Sequence, residues 1–149
     1  MRWILGTALA AGAAIASPTF AQDCAVTVEA NDQIQFVQKE IRVSKDCPSF
    51  SVTLKHIGTL AANVMGHNFV LTATADHMAV GQAGQGAGPA NNYVPPDDAR
   101  VLAASKVIGG GEETTISFET SKLQAGGDYT YFCSFPGHYV IMFGKLIVE

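Results

Sequence analysis

Apolar and polar residues alternate with a period of two in short segments along much of this chain. The clearest cases are residues 25–29, 50–54, 114–118 and 129–133. This period is typical of β-strands that bury one face. Further segments with strand character are residues 41–43, 68–72, 101–107 and 145–148. The pattern predicts an all-β protein of many short strands.

Turn signals separate these segments. Such clusters of Gly, Pro and Asp are Cys47-Pro48, Asp97-Asp98, Gly109-Gly110-Gly111 and Gly126-Gly127-Asp128. Short strands punctuated in this way indicate an antiparallel sandwich or barrel.

One stretch departs from the strand pattern. Residues 74–80 can begin a short helix, and residues 81–96 are rich in Gly, Ala, Asn and Pro. These glycines do not match a phosphate-binding loop, because no Gly-Lys-Ser/Thr follows them. We therefore expect a short helical insertion around residues 74–96 that forms a flexible surface flap.

Residues 1–21 have the three parts of a secretory signal peptide: a basic start at Arg2, an Ala-rich apolar run and a small-residue exit ending at Ala21. The apolar run is shorter than the roughly 20 residues that cross a bilayer, so we expect no membrane span. Cleavage after Ala21 is predicted to leave one exported domain, residues 22–149.

The charge balance argues against nucleic-acid binding. Arg2 is the only charged residue of the leader, so the remainder has 8 basic and 13 acidic residues. The basic residues are scattered, with no Lys/Arg stripe to neutralise phosphates.

Three cysteines in an exported protein leave one over after a single disulfide forms. If Cys24 and Cys47 pair, they close a loop worth roughly 3 kcal/mol, and Cys133 is the odd one. An unpaired thiol in an oxidising compartment is a liability unless it is buried or ligated.

The densest group of potential metal ligands lies near the C-terminus. Cys133, His138 and Met142 have the spacing Cys-x4-His-x3-Met. A strand ending at Cys133, a Pro-Gly turn and a strand after Met142 would fold this segment back and bring the three donors together. Blue copper sites use a Cys thiolate, two His and a long axial Met. The segment therefore predicts a copper site that lacks one His.

His67 is the best candidate for the missing ligand, because it stands at the head of a predicted strand. His56 closes an alternating strand and can face either the core or the surface. His77 lies beside Asp76 in the predicted helix, without partners in a metal pattern. Each histidine alone is more often structural than a ligand, so the Cys/His/Met group is what favours His67.

Residues 22–149 resemble the azurins, members of the cupredoxin family of small copper proteins. The resemblance rests on Cys24, Asn31-Asp32-Gln33, Cys47, residues 63–68, residues 96–101, and residues 133–138 with Met142. It implies an eight-stranded Greek-key β-sandwich with the flap over one side. It also implies one copper ion per chain and a Cys24–Cys47 disulfide.

The resemblance also implies a ligand set. His67, Cys133 and His138 are the implied equatorial ligands, with Met142 as a weak axial ligand. The Gly66 carbonyl is the implied distant contact on the opposite side.

Around these ligands, the resemblance implies that Asn68 ties the two ligand loops together. The backbone N–H groups of Asn68 and Phe135 are then expected to point at the thiolate. This chain has Ser134 where Thr is frequent and Phe69 where Trp is frequent, and neither supplies a ligand atom.

A site with every coordination position occupied or blocked favours an electron carrier over an enzyme. The resemblance implies a monomeric periplasmic carrier that docks transiently with redox proteins such as c-type cytochromes or copper and haem reductases. The edge of His138 would reach the surface through an apolar patch of Leu60, Val64, Met65, Val80, Phe135, Pro136, Val140 and Ile141.

The role of His56 has two interpretations of equal weight. Its protonation is coupled to the redox state, or it is a buried, hydrogen-bonded residue with no functional role.

Three other functions are compatible with parts of the sequence. A periplasmic copper chaperone or storage protein would use the same ligands, but His77 and Met78 are the only extra pair of donors. A nucleophilic enzyme would use Cys133 and His138, which leaves Met142 unexplained. A disulfide-stapled binding sandwich leaves Cys133 without a role.

Overall fold

A computed structural model describes residues 23–149, so the predicted signal peptide lies outside the described residues. Within that range the chain forms nine strands: β1 (Ala25–Asn31), β2 (Gln35–Phe36), β3 (Glu40–Val43), β4 (Ser49–His56), β5 (Val70–Ala73), β6 (Ala103–Ala104), β7 (Glu113–Glu119), β8 (Tyr129–Phe132) and β9 (Phe143–Val148). They make two sheets, with orders β2-β1-β4-β7 and β3-β9-β8-β5-β6. The predicted all-β Greek-key sandwich is confirmed.

Two details of the sheets differ from the expectation. Strand β2 is a ninth strand, and it pairs with the end of β1 over only two positions, too few for alternation to reveal it. The sheets are also mixed, because β1 runs parallel to β4 and β3 runs parallel to β9. Alternation reports which face is buried and carries no information on strand direction.

Two α-helices lie between the strands of the described chain: α1 (Ala62–Met65) and α2 (His77–Ala87). Short 3-10 helices span Thr74–Asp76, Pro89–Asn91, Thr120–Lys122 and His138–Val140. The helical insertion is thus present, and α2 continues through the glycine-rich segment to Ala87. Among residues 23–149, no helix is long and apolar enough to cross a membrane.

The core lies between the two sheets and follows from the alternation. In β4, Phe50, Val52, Leu54 and His56 point inward and are all buried. The predicted disulfide is confirmed: Cys24 and Cys47 are bonded, with their Cα atoms 5.6 Å apart. This bond ties the start of β1 to the turn before β4.

Three parts of the chain meet at one end of the sandwich: the end of β1, the segment between α1 and β5, and the β8–β9 loop. Hydrogen bonds join them, from the His67 ring to the Asn31 carbonyl and from the Ser134 N–H to the Asn68 side chain. This end contains the metal-ligand candidates.

Candidate metal centre

The β8–β9 loop, residues 133–142, folds back as predicted and is called the ligand loop below. Strand β8 ends at Phe132 and β9 begins at Phe143, so the loop contains Cys133, His138 and Met142. The Cys133 N–H donates to the Met142 carbonyl at 3.0 Å, and the Met142 N–H donates to the His138 carbonyl at 2.7 Å. These bonds close the loop and place its two ends side by side.

His67 reaches the ligand loop from the segment between α1 and β5. Its backbone forms a two-way bridge with Ile108, which holds it beside the loop. The Cys133 Sγ lies 3.7 Å from His67 Nδ1 and 3.5 Å from His138 Nδ1. All three ligand atoms lie within 4.8 Å of one another, and all three residues are buried.

The ring of His67 is held in one orientation. Its Nε2 lies 2.8 Å from the Asn31 carbonyl, which can only accept, so Nε2 carries the proton. The lone pair of Nδ1 is therefore free to face Cys133. Such an outer hydrogen bond fixes both the tautomer and the ring angle of a metal-binding His.

Burial dominates the acid-base properties of the three side chains. It raises the pKa of the Cys133 thiol to about 12, against the smaller lowering effect of hydrogen bonds from the Asn68 and Phe135 backbones. Burial also lowers the pKa of His67 to about 4 and that of His138 to about 4. At neutral pH the metal-free site thus holds one thiol proton and two neutral imidazoles.

The backbone at Gly66 approaches the thiol closely. Its carbonyl oxygen lies 3.8 Å from Cys133 Sγ. This position is compatible with the distant contact that the resemblance implied. A Cβ at this position would lie 2.3 Å from the Ala62 carbonyl and 2.5 Å from Val107. Only glycine fits here without displacing the chain.

Asn68 connects the two ligand-bearing segments. Its Oδ1 accepts from the Ser134 N–H at 2.8 Å, and its Nδ2 donates to Ser134 Oγ at 2.8 Å. Nδ2 also donates to the Asn92 carbonyl at 2.9 Å. The Ser134 hydroxyl is therefore hydrogen-bonded, and a Thr at this position would supply the same group.

Asn92 is a contact residue that sequence reasoning missed. It has a left-handed backbone, with φ of 53°, and its side-chain Oδ1 accepts from the Val107 N–H at 2.9 Å. Nothing in the Asn- and Gly-rich segment singles it out, because the bond partners are distant in sequence. It links the insertion to both ligand-bearing segments.

The apolar patch is largely exposed, with one exception. Leu60, Val64, Val140 and Ile141 are large exposed apolar residues, Pro136 is exposed, and Met65 and Phe135 are partly exposed. Val80 is only 1% exposed, so its placement in the patch was wrong. Helix α2 turns Val80 toward Val70 and Phe132, where it packs in a small second core.

His56 lies directly behind His67, with ring centroids 4.5 Å apart. It is 1% exposed, and both ring nitrogens are hydrogen-bonded: Nε2 to the Met65 carbonyl at 2.8 Å and Nδ1 to the Gly58 N–H at 3.0 Å. Asp32 Oδ1 is 3.9 Å from Nε2. The neutral ring satisfies both partners, because one nitrogen donates and the other accepts.

The spacing of the ligand atoms fits a copper ion. A first-row ion bound at about 2.0–2.3 Å inside a triangle of N, N and S donors requires edges of about 3.5–4.0 Å. The two sulfur-to-nitrogen edges are 3.7 and 3.5 Å. A thiolate with two imidazoles is a donor set that copper prefers. The buried Met142, whose carbonyl accepts from the Cys133 N–H, offers a thioether in the same loop.

A buried Cys/His/His centre on a Greek-key sandwich defines a cupredoxin-type copper protein. The model of the family "copper binding proteins, plastocyanin/azurin family" matches residues 22–149. The chain belongs to this family, and copper is its cofactor.

Individual relatives agree with this assignment. Azurin-1 of Alcaligenes xylosoxydans xylosoxydans is 57% identical over 124 residues, which cover 83% of this chain and 96% of that protein. The azurin of Pseudomonas aeruginosa is 44% identical over 135 residues, 91% of each. A solved structure of an azurin (Az-iso2) from Methylomonas sp. strain J has a TM-score of 0.83 and 41% identity, and covers 86% of this chain and 99% of that one.

Proposed function

We propose that this chain is a periplasmic blue copper electron carrier that moves single electrons between redox proteins. The observation that carries the proposal is the buried triangle of Cys133, His67 and His138, with backbone N–H groups directed at the sulfur. Copper bound there would supply the one-electron chemistry by cycling between Cu(I) and Cu(II). His67, Cys133 and His138 would hold it, with Met142 as a weaker ligand and the Gly66 carbonyl as a distant contact.

The residues around the site support a carrier rather than an enzyme. Cys133, His67 and Met142 have no exposed surface, and His138 is 5% exposed. A substrate therefore has no open path to the metal position. Asn68 and Asn92 hold the ligand segments in place, so the donor geometry is set before metal binds. A rigid, dry site suits fast electron transfer.

The buried ligands also weigh against the chaperone or storage alternative. Such a protein must hand over its metal, which requires accessible donors. His77 and Met78 do not form an accessible pair, because His77 is buried while Met78 is exposed.

The direct test of the carrier proposal is titration of the mature protein with Cu(II). We expect one copper per chain, an intense blue thiolate-to-copper absorption and reversible bleaching on reduction. A colourless complex, or one that turns over a substrate, would contradict the proposal.

The apolar patch, with Val80 removed from it, is the proposed exit for the electron and docking surface for partners. The His138 ring lies 4.8 Å from the Phe135 ring, which belongs to the patch. No charged residue is among the seven remaining members. Such a surface suits brief contact with c-type cytochromes or copper and haem reductases, in the smallest class of interface. We propose that the free carrier is a monomer.

Met65→Glu tests the patch. We expect slower electron exchange, by about tenfold or more, because a carboxylate must be desolvated at each encounter. The visible absorption should not change, since Met65 supplies no ligand. Val37→Glu is the matched control, because Val37 is a large exposed apolar residue outside the patch. Equal exchange rates in the two variants would remove the patch from the proposal.

The redox-linked role of His56 stays a proposal. Protonation of Nδ1 would break its bond from the Gly58 N–H, so a linked change would start at residues 56–58. A reduction potential that does not vary between pH 5 and 8 would leave His56 a structural residue only.

A further inference from the structure

Helix α2 contacts the ligand loop at two places, one after each of the ligands Cys133 and His138. His77 Nε2 lies 2.8 Å from the carbonyl of Tyr139, the residue after His138. Gln85 Nε2 donates to the carbonyl of Ser134, the residue after Cys133, at 3.1 Å. The two side chains lie about two helical turns apart, so together they span the loop.

Burial and two aromatic neighbours hold the His77 ring in place. The ring is 7% exposed and packs between Phe132 and Phe143, with centroid distances of 4.6 and 5.3 Å. The Tyr139 carbonyl can only accept, so Nε2 carries the proton. Loss of this donor would leave a carbonyl at the base of the ligand loop without its partner.

The Gln85 amide is fixed as well. The same Nε2 donates to the Gly81 carbonyl at 2.9 Å, one helical turn earlier. The side chain therefore lies along the helix with its amide directed at Ser134. Its neighbour Gln82 is exposed.

The helix can lie this close because of its glycines. A Cβ on Gly81 would be 2.5 Å from the Tyr139 ring, and one on Gly84 would be 2.1 Å from the Tyr93 carbonyl. Val80 and Tyr139 also share the second core. The contact between α2 and the ligand loop is thus tight at Gly81, while Gly84 lets the same helix pack against the segment at Tyr93. Both glycines lower the helix propensity of α2, and this close packing requires them.

We propose that His77 and Gln85 are positioning residues that brace the ligand loop from helix α2 and keep Cys133 and His138 at the spacing that copper requires. Neither residue supplies a metal ligand. Each acts through a carbonyl next to a ligand, and so limits how far that ligand moves. The inference rests on the proposed carrier function, because a small change in ligand positions between oxidation states favours rapid electron transfer.

Hydrogen exchange in the metal-free protein tests the brace without copper. The reporters are the N–H groups of His138, Ile141 and Met142, which donate within the ligand loop. The variants are His77→Phe, which keeps an apolar ring, Gln85→Met, which keeps the length, and both together. We expect exchange about fivefold faster in each single variant and about 30-fold faster in the double variant.

Gln82→Met is the matched control, since it makes the same change on the exposed face of the same helix. The Val52 N–H in the opposite sheet reports global opening. If His77→Phe speeds exchange at Val52 as well, Gln85→Met alone decides the outcome. Loop exchange equal to that of Gln82→Met in all variants would overturn the brace.

The copper-loaded protein provides the second readout. In the double variant we expect copper to dissociate about tenfold faster or more, with a shifted blue absorption and slower electron self-exchange. His77→Gln should restore these properties in large part, because its Nε2 can reach the same carbonyl. An unchanged spectrum and dissociation rate in the double variant would contradict the inference. A changed spectrum and rate that His77→Gln does not restore would show that His77 acts by packing alone and would contradict its positioning role.

The two proposals fail in different ways. If the carrier function is wrong, the unaltered chain gives no blue copper complex, yet the exchange experiment still reports on the loop. If the brace is wrong, the unaltered chain is blue and the variants behave like Gln82→Met.

Discussion

Cys133→Ser should abolish the blue absorption of the copper-loaded protein. The absorption requires a thiolate-to-copper transition, and a serine hydroxyl neither ionises at neutral pH nor supplies the soft donor that copper prefers. Copper affinity should fall by at least about a thousandfold, because the only ligand that becomes negatively charged is lost. The measurements are visible absorption after Cu(II) addition and competition against a chelator.

The control for this change is the double variant Cys24→Ser, Cys47→Ser. It makes the same chemical replacement at the disulfide, which lies outside the metal centre. We expect a loss of about 2–4 kcal/mol in the free energy of unfolding with the blue absorption retained. An intense blue colour in Cys133→Ser would show that Cys133 is not the sulfur ligand.

Copper affinity should rise about tenfold for each pH unit between about pH 5 and 8, a total of about a thousandfold. Burial holds the pKa of the free Cys133 thiol at about 12, so the thiol is protonated across this range and must release its proton to bind copper. Burial holds the pKa values of His67 and His138 at about 4, so neither releases a proton there. One proton therefore leaves per copper bound, and acid weakens binding.

Anaerobic competition against a chelator of known pH dependence measures this slope. Calorimetry in buffers of different ionisation enthalpy counts the released protons independently. The Cys133→Ser variant should show a slope near zero over the same range. A slope of two or three in the unaltered protein would mean that the histidines are protonated in the metal-free state.

The metal ligands could be predicted to different degrees. Cys133, His138 and Met142 lie within one short loop, so their spacing alone indicated a soft-metal site. His67 is far from them in sequence and has the same local character as other histidines. Its place at the head of a predicted strand and the missing ligand of the Cys/His/Met group favoured it, the family resemblance supported that choice, and the structure places its Nδ1 3.7 Å from Cys133 Sγ.

Helix α2 shows why local signals were incomplete. Glycines disfavour helix, so the expected helix stopped before residue 81, whereas α2 continues to Ala87. Close contact with Tyr139 and the Tyr93 carbonyl requires Gly81 and Gly84, and this tertiary contact outweighs their poor propensity. The same packing buries Val80, which sequence reasoning had placed on the surface.

By itself, the sequence determined the β-strand pattern, the buried faces of the strands and the chemistry of the ligand loop. These properties depend on side chains that are close along the chain, where a period or a spacing is sufficient. The tertiary structure alone decided the partners of His56, His77, Gln85 and Asn92. In each of these contacts one partner is a backbone carbonyl, which for Asn92 is its own carbonyl accepting from Asn68. Every residue has a carbonyl, so no residue type marks those partners in advance.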